Sequence, residues 1–194
     1  ITGYDLSKLL CGSYGTLAVL SEIIVRTVPR PEKTRTVLAF GLAPGDAGRA
    51  MERAANSAFE VTGLAHLPAD IAATSAVGYV AMAGASVTAL RLEGPGDSVI
   101  EQTIGLRAAL QDAWSLDCEV EELHGHNSGA LWAEVGRAAA FAAGGSKAFD
   151  VWRLSLPPSA GPGLTLPGAG CRAFFDWAGG LVWLAAPPNP DARV

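Results

Sequence analysis

Four short apolar or β-branched segments, Thr36 to Leu42, Phe59 to His66, Ser86 to Glu93 and Cys118 to His124, are interleaved with two helical ones. The first helix is expected from Asp46, as its cap, to about Ala58. Ser98 with Glu101 gives the S-x-x-E capping box of the second, which is expected to run to about Trp114. The order strand, helix, strand, strand, helix, strand leaves few folds open. It is that of the split βαβ, or ferredoxin-like (βαββαβ), arrangement: an α+β fold in which an antiparallel sheet carries both helices on one face.

The flanks add to this unit at both ends. Asp5 can accept from the free amides of the turn that follows it, Leu6, Leu9 and Leu10 supply an apolar stripe, and Gly12 and Gly15 stop the helix. Thr16 to Val28 is rich in β-branched residues and is expected to be a long strand, and Pro29 and Pro31 then mark a domain boundary. The expected division is therefore residues 1–31 and 32–194. Beyond His124, Asn127 or Ser128 is expected to cap a helix with Leu131, Val135 and Ala139 on one face. Asp150 to Leu156 reads as a strand. Cys171 to Trp177 and Leu181 to Ala185 read as a hairpin around Ala178, Gly179 and Gly180, and Pro187 to Val194 as a frayed or truncated end.

With 49% hydrophobic and 17% charged residues, 194 residues make one globular domain or slightly more. A formal charge of -5 without any Lys/Arg-rich run repels polyanions, so nucleic acid is excluded as a partner. Cys11, Cys118 and Cys171 are odd in number and far apart, which fits reduced thiols in a cytoplasmic protein. The uncharged run Ile71 to Leu90 has the length of a membrane span. Seven of its residues are alanine and six are Gly, Ser or Thr, so a loop feeding a buried strand is expected and no transmembrane segment. Ile1 is not a start methionine, and the sequence is expected to be a piece of a longer protein.

Gly12-Ser13-Tyr14-Gly15-Thr16-Leu17-Ala18-Val19-Leu20 carries the most chemistry. Glycines let backbone amides approach a ligand, and Ser13 and Thr16 can bond polar oxygens, which suits a phosphate or a ribityl chain. The spacing matches neither the Walker pattern nor the dinucleotide fingerprint. A plain glycine turn before a strand has the same composition. Elsewhere, His124 and His126 with Cys118 or His66 offer three metal ligands but no clear fourth, so no metal site is expected. Arg91 and Arg153 lie in apolar strands, where an arginine fork can clamp a carboxylate, while strand alternation favours pairing with acids such as Glu93 or Asp150. Trp152, Trp177 and Trp183 are expected in the core.

Gly3-Tyr4-Asp5-Leu6-x-x-Leu9, then Gly12-Ser13-x-Gly15-Thr16-Leu17-x-Val19 and a strand ending at Pro29, resembles the end of the FAD-binding domain of the vanillyl alcohol oxidase and p-cresol methylhydroxylase superfamily. The resemblance implies contacts to FAD from Gly12, Ser13, Gly15, Thr16, Leu17 and Val19. Ala18 stands where the superfamily pattern has glycine. Ala65-His66-Leu67-Pro68, Leu90-Arg91-Leu92-Glu93-Gly94, Trp152-Arg153-Leu154-Ser155-Leu156-Pro157 and Asp176-Trp177-x-Gly179-Gly180-Leu181-x-Trp183-Leu184 follow in the order seen in the FAD-binding E subunits of bacterial glycolate oxidases. The H-x-G-D-G-N-x-H type metal motif of catalytic relatives is lacking, which favours the E type.

What the resemblance implies is an accessory flavin-binding subunit of a complex with sister subunits that oxidises glycolate or a related small 2-hydroxy acid, with a hydride passing to the flavin. Residues 1–31 would end the FAD-binding domain and residues 32–194 would be the cap. The complex would be cytoplasmic or peripheral at the inner membrane. The piece by itself is expected to be inactive and to bind FAD weakly or not at all, and no catalytic residue is assigned. The alternative is a cap module that scaffolds the subunits without binding flavin.

Overall fold

The computed structural model describes residues 3, 5–113, 118–142, 149–166 and 168–188. They divide into two units, one ending at Arg30 and the other beginning at Pro31. Ile1, Tyr4, Trp114 and residues 189–194, which figure in the expectations above, lie outside the described residues.

In the first unit, helix α1 (Leu6–Leu10) starts as expected, because Asp5 accepts from the Lys8 amide at 3.2 Å. It ends where Gly12, Tyr14 and Gly15 take φ of +81°, +52° and +76°. The strand expected over Thr16 to Val28 does not form, and its residues are exposed: Val19 is 96% and Ile24 91% accessible. A strand satisfies its N–H and C=O groups on a neighbour, and the described residues of this unit include none.

The second unit is built on one sheet of seven antiparallel strands, among the described residues, in the order β4-β1-β3-β2-β6-β7-β5. These are β1 (Lys33–Phe40), β2 (Val61–Leu67), β3 (Val87–Gly94), β4 (Val120–His124), β5 (Asp150–Ser155), β6 (Arg172–Asp176) and β7 (Leu181–Ala186). Alternation along β1 sends Val37 and Ala39 to one face and Leu38 to the other. On the first face, α2 (Pro44–Ala55) and α5 (Gly96–Ala108) bury Met51, Ala54, Val99 and Leu106 against Leu64, Leu90 and Leu92. On the second, α6 (Gly125–Gly136) and α7 (Ala139–Ala142) pack Leu131, Val135 and Phe141 with Leu38, Ala65, Ala89 and Phe174.

Helix starts in this unit differ from expectation, and the N-cap residues of α2, α5 and α6 make no side-chain cap bond. Helix α2 starts at Pro44, whose missing N–H costs nothing in the first turn, and Asp46 lies inside it, paired with Arg49. The Ser98–Glu101 box does not form. Helix α5 starts at Gly96, whose amide donates to Glu32 Oε2 at 3.0 Å, and Ser98 Oγ instead accepts from Gln102 Nε2 at 2.9 Å. Helix α6 begins at Gly125, so neither Asn127 nor Ser128 caps it. It closes at Arg137, and Ala138 at φ +49° turns the chain before Ala139 can continue the stripe. The run from Ile71 to Leu90 takes in the end of one single turn, α3 (Ala69–Ala72), and a second, α4 (Gly78–Ala81), before β3. No helix among the described residues is long and apolar enough to cross a membrane.

The late hairpin forms as expected, but the left-handed residues are Trp177, Ala178 and Gly179, at φ +53°, +57° and +93°. Gly179 needs to be glycine because a Cβ there would lie 2.6 Å from Pro158 O.

Candidate functional site

The Gly12–Val19 stretch is an open turn. Ser13 N donates to Leu10 O at 3.2 Å, and the amide and hydroxyl of Thr16 both donate to Ser13 O, at 3.0 and 2.7 Å. The amides of Gly15, Leu17 and Val19 have no acceptor among the described residues. A Cβ built on Gly12 or Gly15 meets nothing within 4 Å. Leu17 and Val19 present apolar side chains to solvent. Unpaired amides beside glycines at positive φ suit a polar, negatively charged ligand laid along the backbone, and the two exposed aliphatic side chains suit an apolar ring. The residues present thus fit a flavin nucleotide, with Gly15, Leu17 and Val19 offering amides and Ser13 Oγ a further donor.

A second group lies in the second unit, where β2, β3, β5, β6 and β7 send side chains to one face. Gly63 leaves room for Trp132, whose ring would stand 3.0 Å from a Cβ there. Trp132 Nε1 donates to Thr36 Oγ1 at 2.8 Å, and Thr36 in turn shares a buried 2.7 Å bond with Ser128. The Arg91 guanidinium lies 4.9 Å from the centre of the Trp132 ring. It also donates to Thr62 Oγ1 at 3.1 Å and meets Glu93 Oε2 at 3.0 Å, the pairing expected for it.

Arg153 behaves differently. Its guanidinium lies 4.9 Å from the centre of the Trp177 ring and 5.9 Å from that of Trp183, and no bond to Asp150 forms. Between the arginines' fields, Asp176 Oδ1 accepts from the Trp177 amide at 2.8 Å. Burial raises the Asp176 pKa above the usual carboxylate value, opposed by that amide and by Arg91 and Arg153. Two of the tryptophans expected in the core are not there: Trp152 is 52% and Trp177 56% exposed. Trp183 is half-buried, and its Nε1 is enclosed without a partner among the described residues. Sequence pattern marks Arg91 and Arg153 alike; the register that pairs Arg153 with Trp183 and Trp183 with Phe174 separates them.

The remaining candidates separate in space and chemistry. His66 is fully buried in β2, with Nδ1 2.9 Å from Thr88 Oγ1 and its ring stacked 6.0 Å from that of Phe175. His124 Nε2 lies 2.8 Å from Glu122 Oε1. No three His, Cys, Asp or Glu among the described residues converge as metal ligands.

Comparison with known proteins adds to this geometry. No protein-family model matches the chain. It is 29% identical to glycolate oxidase subunit GlcE of Escherichia coli (strain K12) over 187 residues, which is 95% of the chain and 41% of that subunit. It is 51% identical to glycolate oxidase subunit GlcD of Bacillus subtilis (strain 168) over 40 residues, 21% of the chain and 8% of that subunit. An uncharacterised FAD-linked oxidoreductase of Mycobacterium tuberculosis (strain ATCC 25618 / H37Rv) matches at 53% over 38 residues, 20% of the chain and 8% of its own length. The chain thus spans less than half the length of these relatives. It is similar along nearly all of its own length to a glycolate oxidase subunit, and along a shorter stretch to FAD-linked oxidoreductases.

Proposed function

We propose that the chain supplies part of the accessory, FAD-binding subunit of an FAD-dependent oxidase or dehydrogenase acting on glycolate or a related small 2-hydroxy acid. The observation that carries this reading is the match to a glycolate oxidase subunit across 95% of the chain. Residues 1–31 end an FAD-binding domain of the p-cresol methylhydroxylase type, and residues 32–194 form its C-terminal cap. The order β4-β1-β3-β2, with α2 and α5 on one face, supports a ferredoxin-like core for that cap, extended by β6, β7 and β5. When bound, FAD supplies a hydride acceptor for the hydroxyl-bearing carbon. Gly12, Ser13, Gly15, Thr16, Leu17 and Val19 lie along the nucleotide, with backbone amides toward its polar oxygens and Leu17 and Val19 against apolar surface. The cap joins sister subunits of the oxidase complex.

The test is the full-length protein bearing this sequence, purified with and without Gly15→Val. The parent is expected to be yellow with a flavin absorption band. At φ +76° a branched side chain costs about 1–2 kcal/mol, so the variant is expected to retain flavin about tenfold less tightly. A colourless parent that still co-purifies with sister subunits overturns flavin binding and leaves the scaffolding role.

A further inference from the structure

We propose that Arg153, seated on the indoles of Trp177 and Trp183, is the fork of a binding site for a small monocarboxylate anion on the second unit's sheet. The inference rests on the proposed function for its choice of ligand, and the site itself uses side chains of the second unit alone.

Four arginines lie on the described strands, and three have their in-plane donors engaged. Arg35 meets Glu122 at 3.4 Å, Arg91 meets Glu93 at 3.0 Å and Thr62 at 3.1 Å, and Arg172 Nε donates to Asp70 at 2.7 Å. Arg153 has no carboxylate, hydroxyl or carbonyl acceptor among the described residues, although two rings hold it. Attraction to an indole ring does not engage a guanidinium's N–H groups with an oxygen acceptor and so leaves them for a ligand. Those donors match a carboxylate's two oxygens, and a fork already held by packing loses less freedom when it binds. Arg153 and Trp177 are both exposed, so a ligand can reach them from solvent.

Asp176 opposes anion binding at the fork. Its carboxyl interacts with Arg153 and Arg91, and Arg91 is already neutralised by Glu93. When ionised, Asp176 weakens the pull of Arg153 on any anion, so the site's preference for a carboxylate over sulfate comes from the ring surface beside the fork. Trp177 and Trp183 border the fork with apolar surface that suits a short carbon chain.

The experiment is equilibrium dialysis of the whole chain against radiolabelled glycolate at fixed ionic strength, with tryptophan fluorescence as a second readout. Saturable binding that acetate or lactate displaces better than sulfate is expected. Arg153→Gln is expected to weaken it at least about tenfold, and Arg153→Lys, which keeps the charge without the planar fork, to weaken it as well. Asp176→Asn removes the neighbouring acid yet keeps an oxygen for the Trp177 amide, and is expected to tighten binding several-fold. Far-UV circular dichroism checks that each variant is folded. Non-saturable uptake, undiminished binding by Arg153→Gln, or equal competition by sulfate overturns the site. In the full-length protein, flavin absorbance is recorded alongside, so that loss of carboxylate binding with flavin retained counts against this inference alone.

Discussion

His66 shows how one residue's environment reverses what its identity suggests. As a sequence it is a metal candidate; in the fold it fills the interior, with Nδ1 on Thr88, Phe175 across its ring and Nε2 without a partner among the described residues. Burial lowers its pKa from 6.5 to about 4. The folded state therefore resists protonation while the unfolded chain accepts it. The associated stability is present above pH 6.5 and is lost as pH falls toward about 4, by roughly 3 kcal/mol in total. Urea unfolding at pH 7.5 and pH 4.5 is expected to show a larger drop for the parent than for His66→Leu. Equal drops would show that His66 does not titrate on unfolding. Arg153 makes the converse point: an ordinary strand residue by pattern becomes a guanidinium with no oxygen acceptor among the described residues, because tryptophans, and not Asp150, lie beside it.

Helices and strands were legible where a periodic apolar face met a local start signal. Helix α1 follows from Asp5 and the glycines after it, and β1, β3 and the late hairpin follow from alternation and turn residues. Helix α6 was legible in kind but not in anchoring. Ser128, which has the composition of a cap, is buried and bonded to Thr36, which also accepts from Trp132. Those partners lie 92 and 96 residues apart, beyond any local pattern. Thr36→Val keeps the shape and strands both the indole N–H and the Ser128 hydroxyl, at a cost of about 2 kcal/mol. Chemical denaturation measures it, and a loss below about 0.5 kcal/mol would show that these groups find other partners. Thr16 to Val28 is the opposite failure, since β-branched residues favour a strand only where a neighbour completes the ladder.

At the scale of the molecule, the second unit closes its own interior, because its hydrophobic clusters draw on residues from Val37 to Ala185. A chain beginning at Pro31 is therefore expected to unfold cooperatively, with Tm within about 4 °C of the whole chain's, since α1 buries no residue. Loss of cooperative melting in that truncation would show that the first unit is needed for the fold. The sequence by itself determined the α+β class, the interleaved order of elements and the glycine turn at Gly12–Gly15, because each depends on neighbours a few residues away. Tertiary structure alone decided which strand arginine lies against indoles and which against carboxylates among the described residues, which histidine is buried and which serine becomes an anchor. Those outcomes depend on strand register and helix docking between residues tens of positions apart, and no local periodicity encodes such distances.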